Sequence, residues 1–269
     1  MVMKLLNVGC GYNYHPDWIN LDLYQSKFVQ YYDIRNRLPF SDNSVDVVYH
    51  SHVLEHLGKS EGQKFIAECL RVLRSGGIIR IAIPDLEQIC REYLINLEKG
   101  FASNDQKILL NYKWNKIEFL DQIVRQQSGG EMLQTIKNGE FNRDYLFLRN
   151  GEELEFLLNS QTNKEAVSNP NLQNKIINFL KKGHLFGRLK NLVINFFKSS
   201  NPQKSGEAHR WMYDRLDLRL LLEEIGFKDF RIVKYNESRI LDWNKYNLDK
   251  AQGGDYPRKP DSLFVEAIK

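Results

Sequence analysis

Short apolar runs alternate with amphipathic stretches in the first hundred residues of the chain. Apolar runs of this length are typical of buried parallel strands, and they predict five strands over residues 5–8, 18–22, 28–32, 45–49 and 78–83. Between Glu61 and Arg74 the apolar residues recur at helical spacing, which predicts a helix that Ser75-Gly76-Gly77 ends. A second helix is predicted from residue 85 to about residue 98. This alternation indicates an α/β fold with a parallel sheet.

The alternation fails between residues 99 and 206, where Asn, Gln and Lys are frequent and only helical patches recur. A regular pattern returns with a predicted helix that has Leu218, Leu221, Leu222 and Ile225 on one face and ends at Gly226. Two final strands are predicted over 230–234 and 262–268. We therefore expect a core formed by residues 1–98 and 207–269, with a mainly helical or irregular insertion over 99–206.

Composition narrows the class of protein only slightly. The 269 residues contain three scattered cysteines, Cys10, Cys69 and Cys90, which favour neither a disulfide framework nor a zinc site. No apolar run approaches the length of a membrane span, and the N-terminal residues lack the apolar region of a signal peptide. A cytoplasmic location is expected. The net charge of +4 is too small to predict a nucleic-acid partner.

The first two predicted strands end in residues suited to a ligand. Gly9-Cys10-Gly11 follows the first strand, and its glycines allow a tight turn and a close approach to the main chain. Asp22 ends the second strand, where a carboxylate can accept hydrogen bonds from two ribose hydroxyls. These positions predict a nucleoside-type ligand.

The spacing of this region argues against a dinucleotide. The G-x-G-x-x-G fingerprint has a third glycine where this chain has Tyr14, and its acid lies about 20 residues further on. Here Asp22 follows Gly9 by 13 positions, and the six residues between Gly11 and Trp18 are too few for a full crossover helix. Because a pyrophosphate would lose that helix N-terminus, a ribose ligand without phosphate, such as S-adenosylmethionine, fits better.

Five segments in series resemble a known family. They are LNVGCG at 6–11, NLDL at 20–23, LPFSDNSVDVVYHSHVLEHL at 38–57, ECLRVLRSGGIIRIAIPDLE at 68–87 and HRWMYDRLDLRLLLEEIGF at 209–227. Together they resemble class I S-adenosylmethionine-dependent methyltransferases of the small bacterial, type 11-like kind associated with surface-glycan genes. The resemblance covers roughly residues 4–98 and 207–269. It implies a Rossmann-like sheet of seven strands whose last strand is antiparallel, with S-adenosylmethionine as cofactor.

The resemblance also implies roles for individual residues. The backbone of Gly9, Cys10 and Gly11 would line the methionine moiety, and Asp22 would bind the ribose. Asp33 with the amide of Ile34 would meet the adenine, and Ser51 and His52 would wall the pocket. The chain departs from the family at Asn7, where many relatives carry an acid.

A competing motif overlaps this pocket. Residues His52 to His56 spell H-x-x-E-H, the inverted zinc-protease motif, in which two histidines on one helix face bind a metal and Glu55 acts as base. The motif directly follows a strand, as the methyltransferase pattern requires, and the sequence offers no obvious third ligand. We therefore predict no metal, with His56 as a polar residue at a helix start.

The methyl acceptor is less well defined by the sequence. His209 begins HRWMYD and is the predicted general base, if the acceptor is a hydroxyl that loses a proton. The alternative is that His209 only packs in a loop, with Asp214 or Asp217 capping the next helix. The expected reaction is methyl transfer to a hydroxyl of a sugar or glycan precursor, a small-molecule or glycan acceptor. A non-catalytic module for membrane or glycan assembly stays open, whereas a nucleotide-sugar or nicotinamide enzyme is disfavoured.

Residues 170–198 form a basic amphipathic segment with six Lys or Arg residues and no acid. Apolar residues recur at helical spacing on both sides of Gly183 and Gly187, which predicts two short helices. Basic amphipathic helices with aromatic residues bind membrane interfaces. The same apolar residues would equally suit packing on the core or on a second subunit.

Overall fold

The computed structural model describes residues 3–151, 154 and 206–269 of the chain. The strands in these residues are β1 Leu5–Val8, β2 Ile19–Asp22, β3 Val29–Tyr31, β4 Val45–Ser51, β5 Leu73–Pro84, β6 Lys228–Val233 and β7 Ser262–Ile268. The helices are α1 Lys59–Val72, α2 Leu86–Ala102, α3 Gln106–Val124, α4 Gly130–Asn138, α5 Arg143–Asn150, α6 Arg215–Ile225 and α7 Trp243–Tyr246, with a 3-10 turn over Leu54–His56. All seven predicted strands are present. The basic segment 170–198 lies outside the described residues.

The seven strands form one sheet in the order β3-β2-β1-β4-β5-β7-β6. Strands β1 to β5 pair in parallel, and Leu6 of β1 lies opposite Ile19 of β2 and Val48 of β4. Strand β7 is antiparallel to both of its neighbours, β5 and β6. This is the Rossmann-like sheet with an antiparallel last strand that the resemblance implied. The strand order reverses at β1, and ligands of open α/β sheets bind beyond the carboxyl ends of the strands at such a point.

Neighbouring side chains of β1 and β4 enter two different cores. Leu6 and Val48 belong to the larger core, which also contains the buried faces of α1 and α6. Leu5 and Tyr49 belong to a second core. Residues distant in sequence complete it, and these are Trp18, Ile240, Trp243, Tyr246 and Leu248. Residues 9–18, all of them described, form no helix between β1 and β2, as predicted. Because right-handed crossovers on the two sides of β1 lie on opposite faces, residues 240–248 cover the face that this helix would occupy.

The junction between α1 and β5 differs from the prediction. Ser75-Gly76-Gly77 does not end the helix, because α1 ends at Val72 and Leu73 is already extended and paired with Val45. The register then shifts before Val47 pairs with Ile78, so the two glycines lie in an irregularity within β5. Gly76 has a φ of 76°, and a Cβ on Gly77 would lie 2.9 Å from the Arg74 carbonyl oxygen. The glycines therefore serve a bulge in the strand rather than a helix cap.

The chain divides into two compact units. The first comprises Met1–Glu92 and His209–Lys269, and the second comprises Tyr93–Ala208. In the second unit α3, α4 and α5 surround a small core of Trp114, Ile136, Leu146 and Leu154. An ion pair between Arg149 and Glu118, with 2.9 Å between the Nη2 and Oε1 atoms, is buried within the same unit. The described part of this unit is helical and contains no strand, in agreement with the prediction for the insertion.

Candidate active site

The turn after β1 requires glycine for a steric reason. Gly9 has a φ of 65°, and a Cβ at this position would lie 2.4 Å from a methyl group of Val53. The Gly9 amide donates a hydrogen bond of 2.8 Å to the carbonyl of Leu21, which joins the turn to β2. Gly11 also has a positive φ, of 52°. The turn therefore contacts both the end of β2 and the residues that follow β4.

Asp22 lies directly beside this turn. Its Oδ2 atom accepts a hydrogen bond of 2.8 Å from the Gly11 amide, and its Oδ1 atom accepts one of 2.7 Å from the Leu23 amide. Partial burial raises the pKa of the Asp22 carboxyl, while these two hydrogen bonds oppose the rise. Each carboxylate oxygen has a second lone pair, so Asp22 can still accept from two ribose hydroxyls. The structure thus brings Gly9, Gly11 and Asp22 together as predicted.

Two further residues complete the turn. Cys10 is buried, which raises the pKa of its thiol to about 12, so the thiol stays protonated. The Tyr24 hydroxyl donates a hydrogen bond of 2.5 Å to the Gly11 carbonyl, and its ring lies 5.4 Å from that of Tyr12. Tyr24 was missed by the sequence analysis because nothing in the spacing distinguishes it from an exposed loop aromatic.

Asn7 lies in β1 beneath the turn. Its amide nitrogen donates to the side-chain oxygen of Asn20, at 3.1 Å, and to the carbonyl of Asn13, at 3.3 Å. Asn7 and Asn20 are both buried. The amide therefore holds the loop between β1 and β2, a contact that an ionised carboxylate at this position could not make because it has no donor.

Asp33 and Ile34 follow β3 at the same edge of the sheet. Strand β3 pairs with β2, and Tyr31 lies opposite Asp22. The Asp33 carboxylate is bound by Arg35, whose Nη2 atom lies 2.5 Å from Oδ2 and lowers the pKa of the carboxyl. An adenine contact by Asp33 would have to be shared with this ion pair. The roles of Asp33 and Ile34 stay predictions.

Ser51 and His52 lie where β4 ends. His52 has a φ of 54°, and its amide donates to the carbonyl of Ala82 at 2.8 Å. Its Nε2 atom lies 2.8 Å from the Ser262 hydroxyl. Burial, followed by the positive charges of Lys259 and Arg258, lowers the pKa of His52 well below its usual value, so the ring is neutral.

His52 also begins a cluster with Glu55, His56 and His209. The His52 Nδ1 atom lies 3.2 Å from Glu55 Oε1, and the His56 Nε2 atom lies 3.9 Å from the same oxygen. The His56 and His209 rings meet edge to face with centroids 4.9 Å apart. His52 lies outside the 3-10 turn that contains Glu55 and His56, so H-x-x-E-H does not form the single helix face of a zinc protease.

The loop around His209 is fixed by the main chain. The amides of Arg210 and Trp211 donate to the Glu55 carbonyl at 2.7 and 3.2 Å, which holds His209 beside the 3-10 turn. Asp214 caps α6 by accepting from the amides of Leu216 and Asp217. Asp214 is therefore the cap, as one of the two alternatives predicted, and the buried His209 ring packs beside His56. The function of His209 as a general base stays a prediction.

Comparisons with known proteins find similarity over part of the chain. Residues 19–81 match the sequence family described as a methyltransferase domain. A probable S-adenosylmethionine-dependent methyltransferase of Mycolicibacterium smegmatis is 36% identical over 100 residues, which cover 30% of this chain and 38% of that protein. Another probable S-adenosylmethionine-dependent methyltransferase, from Mycobacterium tuberculosis, is 33% identical over 99 residues, which cover 30% of this chain and 35% of that protein. The chain thus spans well under half of the length of the curated relatives it matches.

Solved structures also resemble the chain. A SAM dependent methyltransferase from Archaeoglobus fulgidus aligns over 99% of this chain and 86% of that chain, with 14% identity and a TM-score of 0.40. The sequence matches, with the strand order of the sheet, support the predicted class I methyltransferase core and agree with S-adenosylmethionine as its cofactor.

Proposed function

We propose that the chain transfers a methyl group from S-adenosylmethionine to a hydroxyl of a sugar or glycan precursor. The observation that carries the cofactor part is the Asp22 carboxylate, which lies 2.8 Å from the amide of the glycine turn at the carboxyl edge of the sheet. The matched methyltransferase segment begins at Ile19 and includes Asp22, whereas the turn itself precedes it. The geometry of the glycine turn, which lies outside the matched segment, adds to the support that the family match gives.

The arrangement suits an in-line displacement. The acceptor oxygen attacks the methyl carbon, the bond from carbon to sulfur breaks with its electron pair on sulfur, and the hydroxyl proton passes to a general base, for which His209 is the candidate. Catalysis of such a step depends mainly on positioning. Val53 fills the space beside Gly9 and belongs to the same short segment as Glu55 and His56. We accordingly place acceptor activation at the cluster that contains His209, whose function as a general base stays a prediction.

The finer parts of the proposal rest on the sequence alone. A sugar or glycan acceptor follows from the family resemblance, and a cytoplasmic location is consistent with few, scattered cysteines. Contact with a membrane surface through residues 170–198 would bring the acceptor site to a lipid-linked glycan. No helix among the described residues is long and apolar enough to cross a membrane.

The proposal is tested by titrating the protein with S-adenosylhomocysteine in a calorimeter. The wild-type chain should bind it, and Asp22→Ala should bind about 30- to 150-fold more weakly, because charge-assisted hydrogen bonds to the ribose contribute about 2–3 kcal/mol. The control is Asp17→Ala, which removes an exposed carboxylate near the same loop and should not change the affinity. NAD should not bind comparably.

Two outcomes would contradict the proposal. An unchanged affinity in a folded Asp22→Ala variant would remove Asp22 from the cofactor site. Binding of the cofactor without transfer of a labelled methyl group to any member of a panel of sugars, nucleotide sugars and lipid-linked glycans would favour the non-catalytic module instead.

A further inference from the structure

The sequence offered no third metal ligand for the H-x-x-E-H segment, and the structure places one beside it. One ligand atom each from Glu55, His56 and His209 lie within 4.8 Å of one another. We infer that these three side chains bind one divalent transition-metal ion, in place of our sequence prediction that the chain holds no metal. The inferred site differs from that of a zinc protease, because His52 is replaced by a histidine from a distant loop.

The ligand set determines the kind of ion. Two imidazoles and one carboxylate suit zinc and its first-row neighbours, whereas magnesium and calcium prefer oxygen ligands alone. Ligand atoms held at about 2.0–2.2 Å from such an ion lie roughly 3–4 Å apart, so small side-chain rotations suffice to close the site.

The surroundings of the three ligands resemble those of a working metal site. Glu55 and His209 are 1% and 4% exposed, whereas the His56 side chain is 28% exposed, so one side stays open to water or an acceptor. Catalytic metal sites have this form, with three protein ligands and one exchangeable position. The His52 ring lies 3.2 Å from the Glu55 carboxylate and 2.8 Å from the Ser262 hydroxyl, so it packs directly against the carboxylate.

The main chain holds the ligands in place before any ion binds. Both hydrogen bonds from the 210 and 211 amides end on the carbonyl of Glu55, so His209 and Glu55 cannot separate without breaking them. A preorganised ligand set needs less ordering on binding, which favours affinity.

The function of the ion rests on the proposed methyl transfer. An acceptor hydroxyl bound at the open position would lose its proton to solvent more readily, since a divalent ion lowers the pKa of a bound oxygen. The oxygen would then take the methyl group while the sulfur keeps the electron pair of the broken bond. His209 would act as a ligand in this scheme rather than as the general base.

The test is zinc binding to the full chain after treatment with a chelator. Calorimetry should show one zinc ion per chain and no comparable binding of magnesium. The variants Glu55→Gln, His56→Ala and His209→Ala should each weaken zinc binding at least about 100-fold, because each removes one of three ligands. His15→Ala is the matched control, since His15 lies outside the cluster and its loss should change nothing. An unchanged circular dichroism spectrum and an unchanged urea unfolding midpoint show that each variant is folded.

A second measurement uses only the wild-type protein. Zinc should protect the half-buried His56, but not the similarly exposed His15, from modification by diethyl pyrocarbonate, as mapped by mass spectrometry. The inference is overturned if the wild type binds no stoichiometric zinc, if the three variants bind zinc as tightly as His15→Ala, or if zinc fails to protect His56. These results are separate from the proposed function, because loss of cofactor binding with zinc binding intact would contradict methyl transfer and leave the metal site standing.

Discussion

His50 of β4 is a buried histidine whose ring packs against Phe65 and makes no hydrogen bond to the described residues. The side chain is fully buried with its ring 5.1 Å from that of Phe65, and among the described residues neither ring nitrogen has a hydrogen-bond partner. Burial alone lowers the pKa of His50 to about 3, so the folded protein holds a neutral ring at all ordinary pH values. A polar group buried in this way is a destabilising element of the strand.

The pH dependence of stability should reveal this residue. Below about pH 6.5 the unfolded chain binds a proton on His50 that the folded chain does not bind until about pH 3, so stability falls as the pH falls through this window. The contribution is up to about 1.4 kcal/mol per pH unit. His50→Leu should remove it and be at least as stable as wild type at pH 7.5, as measured by urea unfolding at several pH values. Parallel curves for the two proteins would contradict the assignment.

At the scale of the elements, β5 anchors the C-terminal residues through one buried arginine. The Arg80 guanidinium lies 2.8 Å from both the Asp249 and the Glu266 carboxylates, and its charge lies 4.2 Å from the centre of the Trp243 ring. It also donates to the carbonyls of residues 234, 235 and 237. Arg80 therefore ties the residues on both sides of the segment 240–248 to the sheet, in addition to the packing of that segment in the second core.

Replacing this arginine should strongly destabilise the folded protein. Arg80→Met should lower the free energy of unfolding by about 3–5 kcal/mol, because it leaves two buried carboxylates without a counter-charge. Arg80→Lys should recover only part of the loss, since lysine lacks the forked donors. The control is Arg91→Met, which breaks an exposed pair with Glu87 and should change stability by less than about 1 kcal/mol. Equal losses for Arg80→Met and Arg91→Met in urea unfolding would contradict this function.

The same elements show what the sequence could and could not predict. Strands were found because their apolar runs are local signals, and the glycine turn and Asp22 because each directly follows a strand. The cover provided by Trp243 and Tyr246 was not predicted, since it depends on aromatic partners in β4 and in the loop before β2. The cluster around Glu55 was missed for a similar reason, because His209 reaches it only through the fold. Tyr24 and the bulge at Gly76 depend on backbone geometry that composition does not reveal.

For the whole molecule, the distribution of charge is uneven. The chain has 38 basic and 34 acidic side chains, and residues 170–198 contain six of the basic ones and no acid. The remainder of the chain is therefore slightly acidic, with 32 basic against 34 acidic side chains. An anionic surface would attract this one segment while the remainder contributes no net attraction, and the attraction would be screened by salt.

This distribution predicts membrane binding that depends on lipid charge. The chain should sediment with vesicles containing anionic lipid but not with neutral vesicles, and salt should reduce the bound fraction. Replacing Lys181, Lys182, Arg188 and Lys190 with Gln should abolish sedimentation, because each basic residue near an anionic surface contributes about 1 kcal/mol. The matched control replaces four exposed lysines outside the segment, which are Lys99, Lys107, Lys116 and Lys137. It removes the same charge and should still sediment. Equal binding to both vesicle types, or an equal loss of binding in the two variants, would show that the segment does not recognise the membrane. Protection of Phe179 and Phe196 from solvent in a monomer would indicate that the segment packs on the core instead.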